Sequence, residues 1–232
     1  EVPSVYHRSI SSLMIIAIDG PAGAGKSTVA KILAEKLGFL YIDTGAMYRA
    51  LTLKLLDGHS DLKETKKVIS IAQETTIELN NLEGVLKVFL DGRDVSREIR
   101  EPRVSACVSD VAKIKEVREI MCALQRRLGK QHDSVMDGRD IGTVVFPDAD
   151  RKFYVDAQFE ERVNRRYKEL KMNNQDVEWK AVEADLRNRD TIDSTRACAP
   201  LRQASDALYI DTTGLSIEQV VEVLAKHIPG RV

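Results

Sequence analysis

The chain has 232 residues, 43% of them hydrophobic and 31% charged, enough to bury a sizeable core in one domain with insertions. Its 35 Lys and Arg against 36 Asp and Glu leave a formal net charge of −1, which excludes a global basic field for nucleic acid. No apolar run approaches membrane-spanning length, so no membrane partner is expected. The three cysteines, Cys107, Cys122 and Cys198, are odd in number and lack metal-ligand spacing, and they read as reduced thiols of a cytoplasmic protein.

Residues 1–13 have no apolar h-region and do not read as a secretory signal. Met14 directly precedes the first predicted strand and is a candidate native start, which makes 1–13 a leader or disordered end. The stretch Met14 to Asp19 is apolar on both faces, as a central parallel strand should be. It runs into Gly20-Pro21-Ala22-Gly23-Ala24-Gly25-Lys26-Ser27, followed by Thr28. That octet has the spacing of a P-loop: Gly, four residues, Gly-Lys-Ser. The glycines let successive backbone N–H groups turn inward and form a nest for phosphate oxygens. The helix that follows adds the positive end of its dipole. Lys26 can reach the outer phosphates of a nucleotide, and the Ser27 hydroxyl can serve Mg²⁺. Lys26 is expected in a solvent-facing loop, with little part in packing.

The helix from Lys26 to Leu37 carries Val29, Ile32, Leu33 and Leu37 on its apolar face, and Gly38 stops it. Phe39 to Ile42 is a second strand; Asp43-Thr44-Gly45 then reads as a loop before a helix at about 46–56. Between about 59 and 112 the α/β rhythm breaks. A short helix to about Gln73 precedes two alternating segments, Thr75 to Asn80 and Val85 to Leu90, which read as an antiparallel hairpin. Pro102 opens a further helix carrying Val104, Val108 and Val111. The parallel pattern then resumes. A helix lined by Val117, Ile120, Met121, Leu124 and Leu128 ends at Gly129, and strands follow at Ser134 to Met136, Phe153 to Val155 and Leu208 to Ile210. A basic helix spans Gln158 to Lys171, Asn173-Asn174 makes a loop, and a polar helix starts near Asp176. Ser216 and Gln219 form a capping box for the last helix, whose core face is Ile217, Val220, Val221, Leu224 and Ile228.

In open α/β sheets ligands sit beyond the C-terminal ends of the strands. Three such ends are polar here: Asp19-Gly20, Asp43-Thr44 and Asp137-Gly138-Arg139-Asp140. Either Asp137 or Asp140 could hold the water shell of a metal. The tetrapeptide Asp-Gly-Arg-Asp occurs twice. The copy at 91–94 follows a hairpin strand and reads as a turn; the copy at 137–140 follows a core strand and reads as functional. Arg162, Arg165 and Arg166 crowd one helix, while Arg189, Asp193 and Arg196 fall at i, i+4 and i+7 and would share one helical face. Guanidinium forks suit the oxygens of a phosphoryl group in flight. Local arginine clusters without a basic overall charge favour a small anionic substrate.

Two stretches, Met14 to Ser27 and Asp43-Thr44-Gly45-Ala46-Met47-Tyr48-Arg49, resemble the opening of the bacterial cytidylate kinases, which are nucleoside monophosphate kinases. So do Asp137 to Asp148 and the ending Arg189 to Leu201, and the resemblance runs from Met14 to about Ile228. It implies an α/β fold with a three-layer P-loop core and a parallel sheet, plus an inserted α+β monophosphate-binding lobe and a short lid. The core would be 14–58 and 113–232, the insert 59–112 and the lid 160–175. It implies transfer of a phosphoryl group from ATP, with Mg²⁺, to CMP or dCMP by a monomeric enzyme. Lys26 and the 20–28 backbone would hold the ATP phosphates, with Ser27 and Asp137 serving the metal. Thr44, Arg49, Arg139 and Arg196 would surround the acceptor monophosphate; Tyr48, Arg189 and Asp193 would face its ribose. Ser109, Arg118 and Asp140 would read cytosine, and Arg162 with its neighbours would close over the transferring group. Thr44 stands where many relatives of this family carry Ser; either hydroxyl can donate to phosphate. A P-loop kinase of another acceptor, such as shikimate, and a nucleotide sensor without turnover are the alternatives.

Overall fold

The computed structural model describes residues 13–82, 85–172 and 175–228; the leader up to residue 12 and the Asn173-Asn174 loop lie outside them. Five strands form the main sheet: β1 (Ile15–Asp19), β2 (Leu40–Asp43), β6 (Ser134–Gly138), β7 (Arg151–Asp156) and β8 (Leu208–Asp211). Their order is β2-β6-β1-β7-β8, and every pairing is parallel. β1 therefore lies at the centre of the sheet, where packing on both faces accounts for its apolar character.

Alternation along the strands divides the core. Ile16, Ile18, Val135, Phe153 and Val155 pack with α1 (Lys26–Leu37) and α8 (Ile217–Lys226). Ala17, Ile42 and Met136 point to the other side, against Ile141, Val145 and Phe146. These two helical faces around one sheet are the three layers expected of the core. Gly38, at φ 69°, ends α1 as anticipated, and the Ser216–Gln219 capping box starts α8. Ile32 and Ile217 depart from their expected core positions and are exposed. Both open onto the central cleft instead.

The insert holds α3 (Thr65–Glu74), a three-stranded antiparallel sheet of β3 (Ile77–Leu82), β4 (Val85–Leu90) and β5 (Arg93–Asp94), and α4 (Pro102–Ala112). Asp91 and Gly92 make a left-handed turn at φ 49° and 81°. Asp91 then pairs with Lys54, and Asp94 with Lys87. The first Asp-Gly-Arg-Asp copy thus holds a turn together. The inner face of the insert, including Val68, Val88, Ile99 and Val104, shares one apolar cluster with Leu51 and Leu55 of α2 (Thr44–Asp57) and with Met121 of α5 (Lys115–Gly129). α2 thus supplies one wall of the core of this segment.

Two departures shape the site. α2 begins at Thr44, earlier than expected, because the Asp43 carboxylate accepts from Ala46 N–H at 2.7 Å and caps it. After β6 the chain makes one π-helical turn at Ile141–Val145 that the sequence did not announce. Asp19 holds it: Oδ1 accepts from Ile141 N–H at 2.8 Å and Oδ2 from Gly142 N–H at 2.7 Å.

Candidate active site

The C-terminal ends of β1, β2 and β6 open into a cleft of about 1150 Å³. Its wall includes the loop before α1, the start of α2, part of α4, and the face of α7 (Trp179–Thr195). Gly20 sits at φ 148°, and a Cβ there would lie 1.9 Å from Val155 O; Gly23 sits at φ 76° with α6 (Phe159–Met172) directly behind it. These constraints give the loop its curl. Lys26 is only 5% exposed, against the expectation of a solvent-facing residue, and its ammonium donates to Pro21 O at 2.6 Å. Burial, reinforced by the Arg139 charge, pushes that ammonium down to about 7, against Asp137, Asp19 and Asp193. An anion cradled by the loop would restore its charge.

At the end of β6, Asp137 is buried. Its Oδ2 accepts from Ser27 Oγ at 2.7 Å and its Oδ1 from Tyr41 OH at 2.8 Å. Burial and the Asp43 carboxylate beside it raise Asp137 to about 6; the Ser27 hydroxyl, Lys26 and the Tyr41 hydroxyl oppose the rise. Tyr41 was not anticipated as a site residue. Its only sequence signal is its position on a strand that leads into the rim. Thr44 Oγ1 donates to Asp137 O at 2.7 Å, and Arg49 Nη2 lies 3.0 Å from Asp43 Oδ2.

Farther along the cleft, Arg118 and Asp140 form a buried ion pair. Arg196 Nη2 stands 3.7 Å from the second Asp140 oxygen, and the Arg118 guanidinium lies 5.5 Å from the Tyr48 ring centre. Arg139 Nε donates to Asp193 Oδ2 at 2.9 Å. Burial alone would raise the Asp193 carboxyl, but Arg139, Arg196 and Arg189 hold it below the usual carboxylate range. Burial and Arg139 lower the Arg189 guanidinium to about 10. Ser109 of α4 joins this wall. Among the described residues, Arg49, Arg118, Arg189 and Arg196 each keep a buried nitrogen without a hydrogen-bond partner. Four guanidinium groups along one cleft, Arg49, Arg118, Arg189 and Arg196, suit an anionic ligand.

The predicted residues Lys26, Ser27, Thr44, Tyr48, Arg49, Ser109, Arg118, Asp137, Arg139, Asp140, Arg189, Asp193 and Arg196 all line this cleft. Arg162 does not. It is buried, and it donates to Ala157 O at 3.1 Å, to Ala22 O at 3.0 Å and to Asp190 Oδ2 at 2.6 Å. Arg165 and Arg166 of the same helix reach the cleft in its place. Arg97 and Arg100 of the insert also line it and were not singled out by the sequence. Arg100 lies 4.0 Å from Asp43.

The family model described as cytidylate kinase matches residues 16–229. The chain belongs to that family. It is 50% identical over 207 residues to the cytidylate kinase of Caldicellulosiruptor bescii, covering 89% of this chain and 92% of that protein. It is 51% identical over 215 residues to the cytidylate kinase of Clostridioides difficile, covering 93% of this chain and 98% of that protein. Among solved structures, an uncharacterized protein from Eubacterium ventriosum superposes with a TM-score of 0.51 at 14% identity, over 94% of this chain and 99% of that one, which shows the fold alone. The α/β fold and the kinase family expected from the motifs are both found.

Proposed function

We infer that the chain transfers the γ-phosphoryl group of ATP to CMP or dCMP, giving ADP and CDP or dCDP. The observation that carries this reading is one cleft with the glycine-rich loop and Lys26 at one end and a buried Arg118–Asp140–Arg196 cluster at the other. The loop backbone and Lys26 would hold the donor phosphates. Thr44, Arg49 and Arg139 would take the acceptor monophosphate, and Arg189 with Asp193 its ribose. Asp140, held by Arg118, would accept from the cytosine amino group. No covalent intermediate is needed. The protein aligns two nucleotides, excludes water and neutralises charge on the group in flight.

Ser27 and Asp137 offer hard oxygen donors, and among the described residues no group of three or more His, Cys, Asp or Glu forms an all-protein cage. That suits Mg²⁺, which prefers one or two protein oxygens together with water and substrate phosphates. When bound, Mg²⁺ supplies charge neutralisation across the donor phosphates. Tyr41 and Ser27 fix the carboxylate that would face it.

We assign 14–58 and 113–232 to the kinase core, 59–112 to the monophosphate-binding insert and 160–175 to the lid. No helix among the described residues is long and apolar enough to cross a membrane. A cytoplasmic monomer acting on small nucleotides is the simplest form of this reading. The test is ADP release with CMP, dCMP, UMP, AMP and shikimate as acceptors. The expected result is fast turnover with CMP and dCMP alone. ATP binding with no turnover on any acceptor would make the chain a sensor and overturn the reading, as would preference for another acceptor.

A further inference from the structure

We propose that Arg162 and Asp190 form a clasp that sets the shape of the phosphate-binding loop and transmits its occupancy to the α6–α7 helix pair. The clasp grips one residue of the loop by both of its backbone groups, and so holds two successive peptide units. Ala22 C=O accepts from Arg162 Nη1 at 3.0 Å, and Ala22 N–H donates to Asp190 Oδ1 at 3.4 Å. The two side chains are themselves joined at 2.6 Å. Arg162 is anchored further by Ala157 O, by Asp156 Oδ1 at 3.5 Å, and by the Phe159 ring 5.2 Å beneath its guanidinium.

Packing follows the same path. Ala22 does not join the clusters that pack on the main sheet. Its methyl group lies in a small cluster with Val163 of α6 and with Val182 and Leu186 of α7. At Gly23 a Cβ would lie 2.8 Å from Arg162 O and 3.1 Å from Leu186, so the loop rests directly on both helices. On the cleft side of the same helices stand Arg165, Arg166 and Arg189. A shift of the Ala22 peptide on nucleotide binding must therefore move the clasp or strain it, and the coupling acts in both directions. Arg162 and Asp190 are positioning residues here, acting through the loop backbone. This inference rests on the reading of the loop as a donor-phosphate site.

The chain has its own reporter. Trp179 is the only tryptophan in the sequence; its indole N–H donates to Asn164 Oδ1 at 2.8 Å, linking α7 to α6 within that small cluster. ATP added to the unsubstituted chain should shift Trp179 emission, with binding measured in parallel by calorimetry. ATP binding with unchanged emission overturns the clasp, whereas no ATP binding at all refutes the loop reading on which it rests. Asp190→Asn keeps the shape and an acceptor oxygen but removes the charge. It should raise KM for ATP about tenfold or more, leave KM for CMP within about twofold, and abolish the emission change at saturating ATP. A change in both KM values by one common factor would overturn the proposal. Arg162→Lys, which keeps the charge but not the fork, carries the same expectation if Asp190→Asn does not fold.

Discussion

Asp140→Asn tests how the acceptor base is chosen. Cytosine offers an N4 amino donor and acceptors at N3 and O2, so a carboxylate suits the first and a guanidinium the others. Uracil presents O4 as an acceptor and N3–H as a donor, so an ionised Asp140 repels the one and Arg118 opposes the other. Two cations face the Asp140 carboxyl: Arg118 in direct contact and Arg196 at 3.7 Å. At an effective dielectric of about 20, the gross attraction of a pair at that longer distance is roughly 4–5 kcal/mol. A neutral base reader would thus forfeit the field that fixes both arginines. Asparagine can still accept a hydrogen bond, and it can turn its amide toward O4. The CMP-over-UMP preference should fall by roughly 1–3 kcal/mol, about 5- to 150-fold in the ratio of kcat/KM. The assay is coupled ADP detection with both acceptors on one preparation, with a thermal melt to confirm folding. An unchanged ratio would refute base reading. If Asp140 instead served the metal, both acceptors would lose activity equally and the Mg²⁺ requirement would rise. The geometry opposes that alternative, because it is Asp137 that bonds Ser27.

Three further outcomes follow from the same contacts. Lys26→Met, which keeps much of the buried volume, should cut kcat by about 10²–10³-fold or more while the melting temperature stays near that of the unsubstituted chain; a near-normal kcat would remove Lys26 from the phosphate site. Gly23→Ala forces a methyl group against Arg162 O at 2.8 Å in a left-handed residue, so it should cost about 1–3 kcal/mol of stability in a denaturant melt; a neutral result would mean the helices yield easily. Burial raises the Asp19 carboxyl from the ordinary 3.8 to about 6, against the Gly142 and Ile141 N–H groups. The folded chain then keeps a proton that the unfolded chain releases. The stability this group contributes is complete below about pH 4 and lost as pH rises to about 6, worth ~3 kcal/mol. A carboxyl-carbon NMR titration with a midpoint below about 4.5 would contradict this.

What the sequence made legible was local. Glycine spacing marks the curled loop before α1, where Gly20, Gly23 and Gly25 all take positive φ. The central strands were legible because a strand of a sheet covered on both faces is apolar on both faces. The capping box was legible because Ser216 and Gln219 satisfy each other across one turn. Exposure of Ile217 and Ile32 was not, since hydrophobic spacing cannot tell a core face from a face turned into a cleft. Nor was the π-helical turn, whose stabilising carboxylate, Asp19, lies 122 positions from Ile141.

Arg162 shows the limit most clearly. Arg162, Arg165 and Arg166 stand at i, i+3 and i+4 on one helix, so periodicity gives all three nearly the same direction. What separates them is the company each finds. Arg162 meets the Ala22 carbonyl 140 positions earlier and the Asp190 carboxylate 28 positions later, and those partners draw it beneath the loop. Arg165 is fixed as well, by Glu161, by Ala24 O and by Thr212 on the other flank of the cleft, whereas among the described residues Arg166 pairs with Glu169 alone, one turn on. A buried guanidinium with several fixed acceptors cannot swing to meet a phosphoryl group without leaving those acceptors unpaired. Arg166, tied to a single carboxylate near the surface, can. Of the three, Arg166 is therefore the one whose charge can move, while Arg162 stays tied to the backbone of the loop before α1.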